Sequence, residues 1–276
     1  MSSDQAPLPV VTVPLLNDNY GYLIICPKEK ICAAVDPVEP KKILAAAKKE
    51  GVAITHILTT HSHWDHAGGN KELIQSLKDQ GKSVVVVGGA NDGIPGVTKE
   101  VKEGDEFKIG STVSVKVLDT PCHTPGHVCF YCTKADGKEK SGWGGGCVFT
   151  GDTMFVGGCG NFNSGSPEQM YSNFMKLGKL PEDTLVYCGH EYTLKNLAYA
   201  CYADPENAEL KERVKWAEAR RKAGLPTVPS TIKDEWETNP FLRVGTETIQ
   251  KYAKTTDGAK AIKFVRADKD AWGRRR

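Results

Sequence analysis

At 276 residues, 39% of them hydrophobic, the chain can bury one large α/β core, or a core domain with a smaller addition. A formal net charge of +2 gives no electrostatic reason to expect a nucleic-acid or membrane partner, and Arg274-Arg275-Arg276 alone reads as a solvated terminus. No apolar run approaches the roughly 18–20 residues that span a bilayer, and Met1-Ser2-Ser3-Asp4-Gln5 lacks a signal-peptide pattern, so the expectation is a soluble, cytoplasmic protein.

Along the chain, β-branched and aromatic content predicts strands over 10–16, 21–26, 31–35, 54–59, 83–87, 111–118, 127–133 and 147–150. Many strands with few helices between them suggest packed sheets. Helices are expected from Pro40, which suits a first helical position, after Gly68-Gly69, and from Ser166-Pro167-Glu168, where Ser can cap and Pro can begin the helix. The low-complexity segment 142–146 reads as a flexible hairpin tip. A strand over 184–188 precedes Gly189-His190-Glu191. Beyond it the pattern turns helical: 195–202 is a helix, Asp204-Pro205-Glu206 is a helix-start signal, and the charged stretch 209–223 continues from it. The loop 226–230 and the turn Asn239-Pro240-Phe241 separate the helices that follow. The expected division is therefore a domain of residues 1–193 and a helical domain of residues 194–276. Nine scattered cysteines are expected as reduced, buried thiols. Cys129 and Cys132 form a C-x-x-C, but on a strand they face opposite sides, and no second such pair completes a zinc site.

The chemistry concentrates after the strand 54–59, where His61, His63, Asp65 and His66 place four potential metal ligands in one loop. Further candidates, His123, Asp152 and His190, stand at the ends of later strands, each flanked by Gly, Pro or Thr. Five of seven histidines would then be ligands. His56, inside a strand, is expected to be packed. His127, four residues beyond His123, competes with it, and His123 is the preferred ligand.

H-x-H-x-D-H followed by a distant His, Asp and His resembles the metallo-β-lactamase superfamily. Phe149-Thr150-Gly151-Asp152-Thr153, Cys159-Gly160, Gly189-His190-Glu191-Tyr192-Thr193, Asn239-Pro240-Phe241-Leu242-Arg243, Arg266 and Lys269 extend the resemblance to its hydroxyacylglutathione hydrolase (glyoxalase II) branch. The resemblance implies an α/β fold, a metallo-β-lactamase-type αββα sandwich with a C-terminal helical domain. It also implies two divalent metal ions, zinc first with iron or manganese as alternatives. One would be held by His61, His63 and His123, the other by Asp65, His66 and His190, with Asp152 bridging and Asp36 orienting a ligating histidine. Asp65 and Asp152 are then the carboxylates of the catalytic centre, where a shared water becomes hydroxide near neutral pH and attacks a thioester carbonyl. The implied substrate is a small-molecule glutathione thioester such as S-lactoylglutathione, with no nucleic acid, membrane or obligate protein partner. Its contacts are expected from Asn161, Phe162, Asn163, His190, Tyr192, Arg266 and Lys269. The chain departs from the branch after Cys159-Gly160: a Lys and, two positions on, a Tyr are usual there, whereas this chain has Asn161 and Asn163, which carry no charge. Two alternatives are a one-iron glutathione persulfide dioxygenase, against which a full second ligand set argues, and a non-catalytic binding protein, whose mark would be lost ligands.

Overall fold

The computed structural model describes residues 8–135 and 145–274. The hairpin tip expected at 142–146 lies mostly outside the described residues, as does the end of the basic terminus, 275–276. Strands β1 (Val10–Leu15), β2 (Asn19–Cys26), β3 (Ile31–Val35), β4 (Ala53–Thr59), β5 (Val85–Gly89) and β6 (Lys99–Val101) lie side by side in that order, antiparallel over the first three and parallel from β3 onward. The second sheet is built from β7 (Glu106–Ile109), β8 (Val113–Asp119), β9 (Val128–Lys134) and β10 (Cys147–Gly151). After a small hairpin, β11 (Met154–Phe155) with β12 (Gly158–Cys159), it is completed by β13 (Leu185–Cys188) and β14 (Ser230–Thr231), in the order β14-β13-β10-β9-β8-β7.

Strand alternation divides the apolar residues between two faces of each sheet. Tyr22, Ile24, Val35 and Leu58 of the first sheet meet Val115, Val117, Phe130 and Phe149 of the second in one buried layer. Each such side chain contributes roughly 1.5–3 kcal/mol by leaving water. The outer face of the first sheet, Leu23, Ile25, Ile57 and Val86, is covered by α1 (Pro40–Glu50) and α3 (Asn70–Asp79) through Ile43, Ala47, Leu73 and Leu77, with α2 (Trp64–Ala67) one short turn between them in sequence. The outer face of the second, Leu118, Cys129, Val148 and Val186, is covered by α4 (Pro167–Leu177) together with residues of the C-terminal helices. The expected αββα sandwich is the observed one. Cys129 and Cys132 fall in different layers, and all nine cysteines are free, eight of them buried.

Pro40 begins α1 as expected, and Ser166 caps α4 with a reciprocal bond to Gln169. The C-terminal helices are α5 (Thr193–Ala203), α6 (Ala208–Lys222), α7 (Ile232–Thr238), α8 (Glu247–Ala253) and α9 (Gly258–Arg274). The start signal at Asp204-Pro205-Glu206 does not begin α6. Asn207 does, its side chain accepting from the Leu210 amide at 3.0 Å. Asp204 is unavailable as a cap because its carboxylate takes Arg243 and the Asn207 amide nitrogen, each at 3.0 Å. The strand expected over 83–87 lies two residues further on. Strands β6, β7, β11, β12 and β14 and helices α7 to α9 were not individually expected. Among the described residues no helix is long and apolar enough to cross a membrane.

Candidate metal centre

The carboxyl ends of β3, β4, β8, β10 and β13 turn into the loops that carry Asp36, the residues 61–66, His123, Asp152 and His190. All seven candidate ligands converge. His61, His63 and His123 bring one nitrogen each within 4.8 Å of one another, and so do Asp65, His66 and His190 with a carboxylate oxygen and two nitrogens. Asp152 lies between the groups, Oδ1 3.3 Å from His66 Nε2 and Oδ2 3.4 Å from both His123 Nε2 and His190 Nε2.

The outward ring nitrogens of His61, His66, His123 and His190 each have a partner, which sets the inward one. His66 Nδ1 donates to Asp36 Oδ2 at 3.0 Å, His190 Nδ1 to Asp18 Oδ1 at 2.9 Å, and His123 Nδ1 to the Asn161 carbonyl at 3.0 Å. The Thr60 hydroxyl donates to Asp36 Oδ2 at 2.7 Å and therefore accepts from His61 Nδ1 at 3.0 Å. Inward lone pairs follow. They crowd together: His66 Nε2 and His190 Nε2 are 3.2 Å apart, and His123 Nε2 is 3.0 Å from His63 Nδ1. His61 Nε2 and Asp152 Oδ1 are buried without a hydrogen-bond partner among the described residues. Converging nitrogens, orphaned buried acceptors and two carboxylates are a donor set that fits a pair of divalent cations.

The electrostatics agree. Burial works against the charged form of Asp152, yet the His66 and His190 rings hold its carboxyl well below the usual range, and Asp65 is lowered by the same two rings. Burial likewise opposes charge on His190, but Asp152 and Asp65 outweigh it and push the ring up to about 10. His66 is raised in the same way by Asp152, Asp36 and Asp65. Burial, with the neighbouring imidazoles adding to it, pushes His61 well below the ordinary value.

Asp36 and Asp152 owe their aim to the backbone. Asp36 itself sits in the left-handed region, φ 46°, which turns its carboxylate under Thr60 and His66. Gly151 reaches φ 47° just before Asp152, and a Cβ there would meet Thr60 Oγ1 at 2.5 Å. Asp36 also groups with His61 and His66 in space, but its oxygens are engaged by the Thr60 amide at 2.8 Å, the Thr60 hydroxyl and His66, so it supports ligands and is not free to be one. His127 has no nitrogen to offer either. Its Nδ1 meets Thr120 Oγ1 at 2.8 Å, and its Nε2 accepts from the Asp152 amide at 3.2 Å. His56 packs against Phe107, rings 6.3 Å apart.

A cavity of about 840 Å³ opens onto His123 and Asp152, and Asn161, Tyr192, Arg266 and Lys269 line it. Tyr192 stacks on His190 with centroids 4.7 Å apart. Arg266 donates to the Cys159 carbonyl at 2.8 Å and pairs with Asp270, while Lys269 donates to Asn196 Oδ1 at 2.6 Å. Phe162, Asn163 and His190 are not among the residues that line the cavity. Phe162 packs against the outer core, since an apolar ring gains more there than at a wet mouth, and Asn163 reaches back toward His123 Nδ1 at 3.5 Å.

Several participants carried no signal in the sequence. Asp18 is one, and so is Asn19, whose side chain donates to Asp65 Oδ2 at 3.0 Å. Asp92 ties the metal loop to the next one by accepting from the Ser62 amide at 2.7 Å and the Gly126 amide at 2.9 Å. Glu191, Lys195, Asn196 and Asp270 also line the cavity, as does Arg274, which the sequence offered only as part of a solvated terminus.

Comparison with known proteins matches the two halves separately. A family model described as the metallo-beta-lactamase superfamily matches residues 27–190, and one described as hydroxyacylglutathione hydrolase C-terminus matches residues 191–272. The cytoplasmic hydroxyacylglutathione hydrolase of Arabidopsis thaliana is 44% identical over 94% of this chain and 97% of its own. A hydroxyacylglutathione hydrolase-like protein of Gallus gallus is 41% identical over 95% and 89%. The crystal structure of ETHE1 from Myxococcus xanthus shares the fold, with a TM-score of 0.64 at 23% identity over 93% of this chain and 90% of that one.

Proposed function

Because the chain belongs to the hydroxyacylglutathione hydrolases of the metallo-β-lactamase superfamily, we propose that it hydrolyses the thioester of an S-2-hydroxyacylglutathione, such as S-lactoylglutathione, to a hydroxyacid and glutathione. The observation that carries this is the junction of two features: seven inward donor atoms at the floor, and a cavity with Arg266 and Lys269 on its wall that opens onto them. His61, His63 and His123 would hold one metal, Asp65, His66 and His190 the other, and Asp152 both. Zinc suits this nitrogen and carboxylate set, as iron and manganese do. When bound, such a pair lowers the pKa of a water between them and polarises a carbonyl oxygen.

The protein's own groups supply the rest. Asp36, Asp18 and the Asn161 carbonyl keep three imidazoles in the ligating tautomer. Arg266 and Lys269 face the carboxylates of glutathione. The leaving thiol has a pKa of about 8.5, so its thiolate departs without a strong general acid. No side-chain nucleophile competes: burial pushes the Cys122 thiol up to about 11 and the Cys159 thiol up to about 12. Residues 1–193 would form the catalytic domain and 194–276 the substrate-binding one, in a cytoplasmic enzyme without an obligate partner.

Metal analysis of the purified protein, run beside hydrolysis of S-lactoylglutathione and oxygen uptake, tests this reading. Two metals per chain, thioester cleavage and no oxygen consumption are expected, and Asp152→Ala should lose both metal and turnover. An unaffected rate in that variant, or no preference for the glutathione ester over other thioesters, would overturn it.

A further inference from the structure

Besides Arg266, Lys269 and Arg274 of α9, the cavity wall holds a cation from α5. Lys195 stands in the first turn of α5, one turn after Tyr192 and next to Asn196, so these three residues share the wall with Arg266, Lys269 and Asp270 of α9. Of the three basic residues that α9 brings to the wall, Arg266 and Lys269 are already engaged, and Arg274 stands at the very end of the helix. Arg266 is paired with Asp270 and the Cys159 carbonyl, and Lys269 donates to Asn196. Burial, with Arg266 adding to it, also pulls Lys269 down to about 7, so near neutral pH it carries only part of a charge. Lys195 is exposed and has no hydrogen-bond or ion-pair partner among the described residues. On the same wall Asn161 contributes no charge.

We infer that Lys195 is a specificity-determining residue of this enzyme: its ammonium binds a carboxylate of the glutathione moiety and makes good the charge absent at Asn161. This rests on the glutathione thioester reading above and adds to it which group discriminates the carrier. Glutathione offers a carboxylate at each end of an extended tripeptide, roughly 10 Å long, and α5 and α9 each bring cations to the one wall that would receive them. Among the acids of the same wall, Asp270 is spent on Arg266, Asp18 on His190 and Asp152 on the histidine cluster, and Glu191 accepts from Thr227 and Tyr20. None of them pairs with Lys195.

The test compares S-lactoylglutathione with the lactoyl thioester of N-acetylcysteamine, which has no carboxylate, on the metal-loaded wild type and on Lys195→Gln and Lys195→Arg. Loss of one partly solvated charge-assisted bond should raise KM for the glutathione ester about tenfold in Lys195→Gln, with kcat retained, KM for the cysteamine ester unmoved, and Lys195→Arg close to wild type. A Lys195→Gln enzyme whose KM is unchanged on the glutathione ester, or raised equally on both esters, overturns the inference while leaving the hydrolase reading intact. A wild type with no preference between the two esters defeats that reading, and this inference falls with it.

Discussion

Asp36→Asn isolates what a buried carboxylate contributes to a metal site it does not touch. Asp36 is 3% exposed and accepts three bonds: Oδ1 from the Thr60 amide, Oδ2 from the Thr60 hydroxyl and from His66 Nδ1. Asparagine can keep the first with its carbonyl, but its NH2 then faces two donors. His66 must move its proton to Nε2, into the metal position. Thr60, now accepting from the amide, must donate to His61 Nδ1, which forces that ring to carry its proton inward as well. One substitution therefore removes a lone pair from each metal's ligand set. A supporting hydrogen bond of this kind is worth 10–100-fold in affinity, about 1.4–2.7 kcal/mol, so both metals should bind more weakly by that factor. Asp18→Asn is the comparison. It touches only His190, through a side chain that is 44% exposed and can be replaced by water, so one metal weakens and by the lower figure. Zinc content measured against a graded series of chelator buffers reads the difference, with circular dichroism to verify folding. Unchanged affinity for both metals in folded Asp36→Asn would refute the tautomer reasoning.

Two further outcomes follow from the substrate side. Lys269 is charged below about 7 and neutral above it, so KM for S-lactoylglutathione should rise as pH passes from 6 to 8, while KM for the carboxylate-free ester stays level; equal pH profiles for the two esters would show that Lys269 does not meet a carboxylate. Glu235 is a buried carboxylate that accepts from Ser230 at 2.6 Å and from the Gly157 amide and Asn239 at 2.9 Å, joining the C-terminal helices to the hairpin β11–β12. In Glu235→Ala the Gly157 amide cannot turn to another partner, and at about 1–3 kcal/mol per buried unsatisfied donor thermal unfolding should shift down by several degrees, whereas an unchanged Tm would mean that the network is incidental.

How much of this was legible beforehand depends on sequence distance. Four donors in six residues after an apolar strand announce themselves, and Asp36 stands out between Val35 and Pro37 at a strand end. Asp18 does not, because its role arises only where Asn19 bridges to His190 at the meeting of the two sheets, 171 residues away in sequence. The strands β11, β12 and β14, two residues each, are too short for any periodicity to register. Helix α9 is a different case: its buried stripe, Ala261, Ile262, Val265 and Trp272, is as amphipathic as those of α1 and α4, but no proline marks its start as Pro40 and Pro167 mark theirs.

The departure at Asn161 and Asn163 can then be understood from what the loop does with its backbone. The Asn161 carbonyl accepts from His123 and the Cys159 carbonyl from Arg266, so one short segment reaches both the histidine cluster and the cavity wall through main-chain acceptors. Main-chain acceptors do not depend on side-chain identity. Gly160 between them leaves no room for alternatives, since a Cβ there would lie 1.8 Å from the Asp152 carbonyl oxygen. The side chain at 161 is therefore free to lose its charge without disturbing either His123 or Arg266, provided that another cation faces the thiol carrier. Lys195, on α5 in the same cavity wall, meets that condition. If so, Asn161→Lys in the Lys195→Gln background should recover KM for the glutathione ester and leave zinc affinity unchanged; a double variant no better than Lys195→Gln would mean that the two positions serve different ends of the ligand.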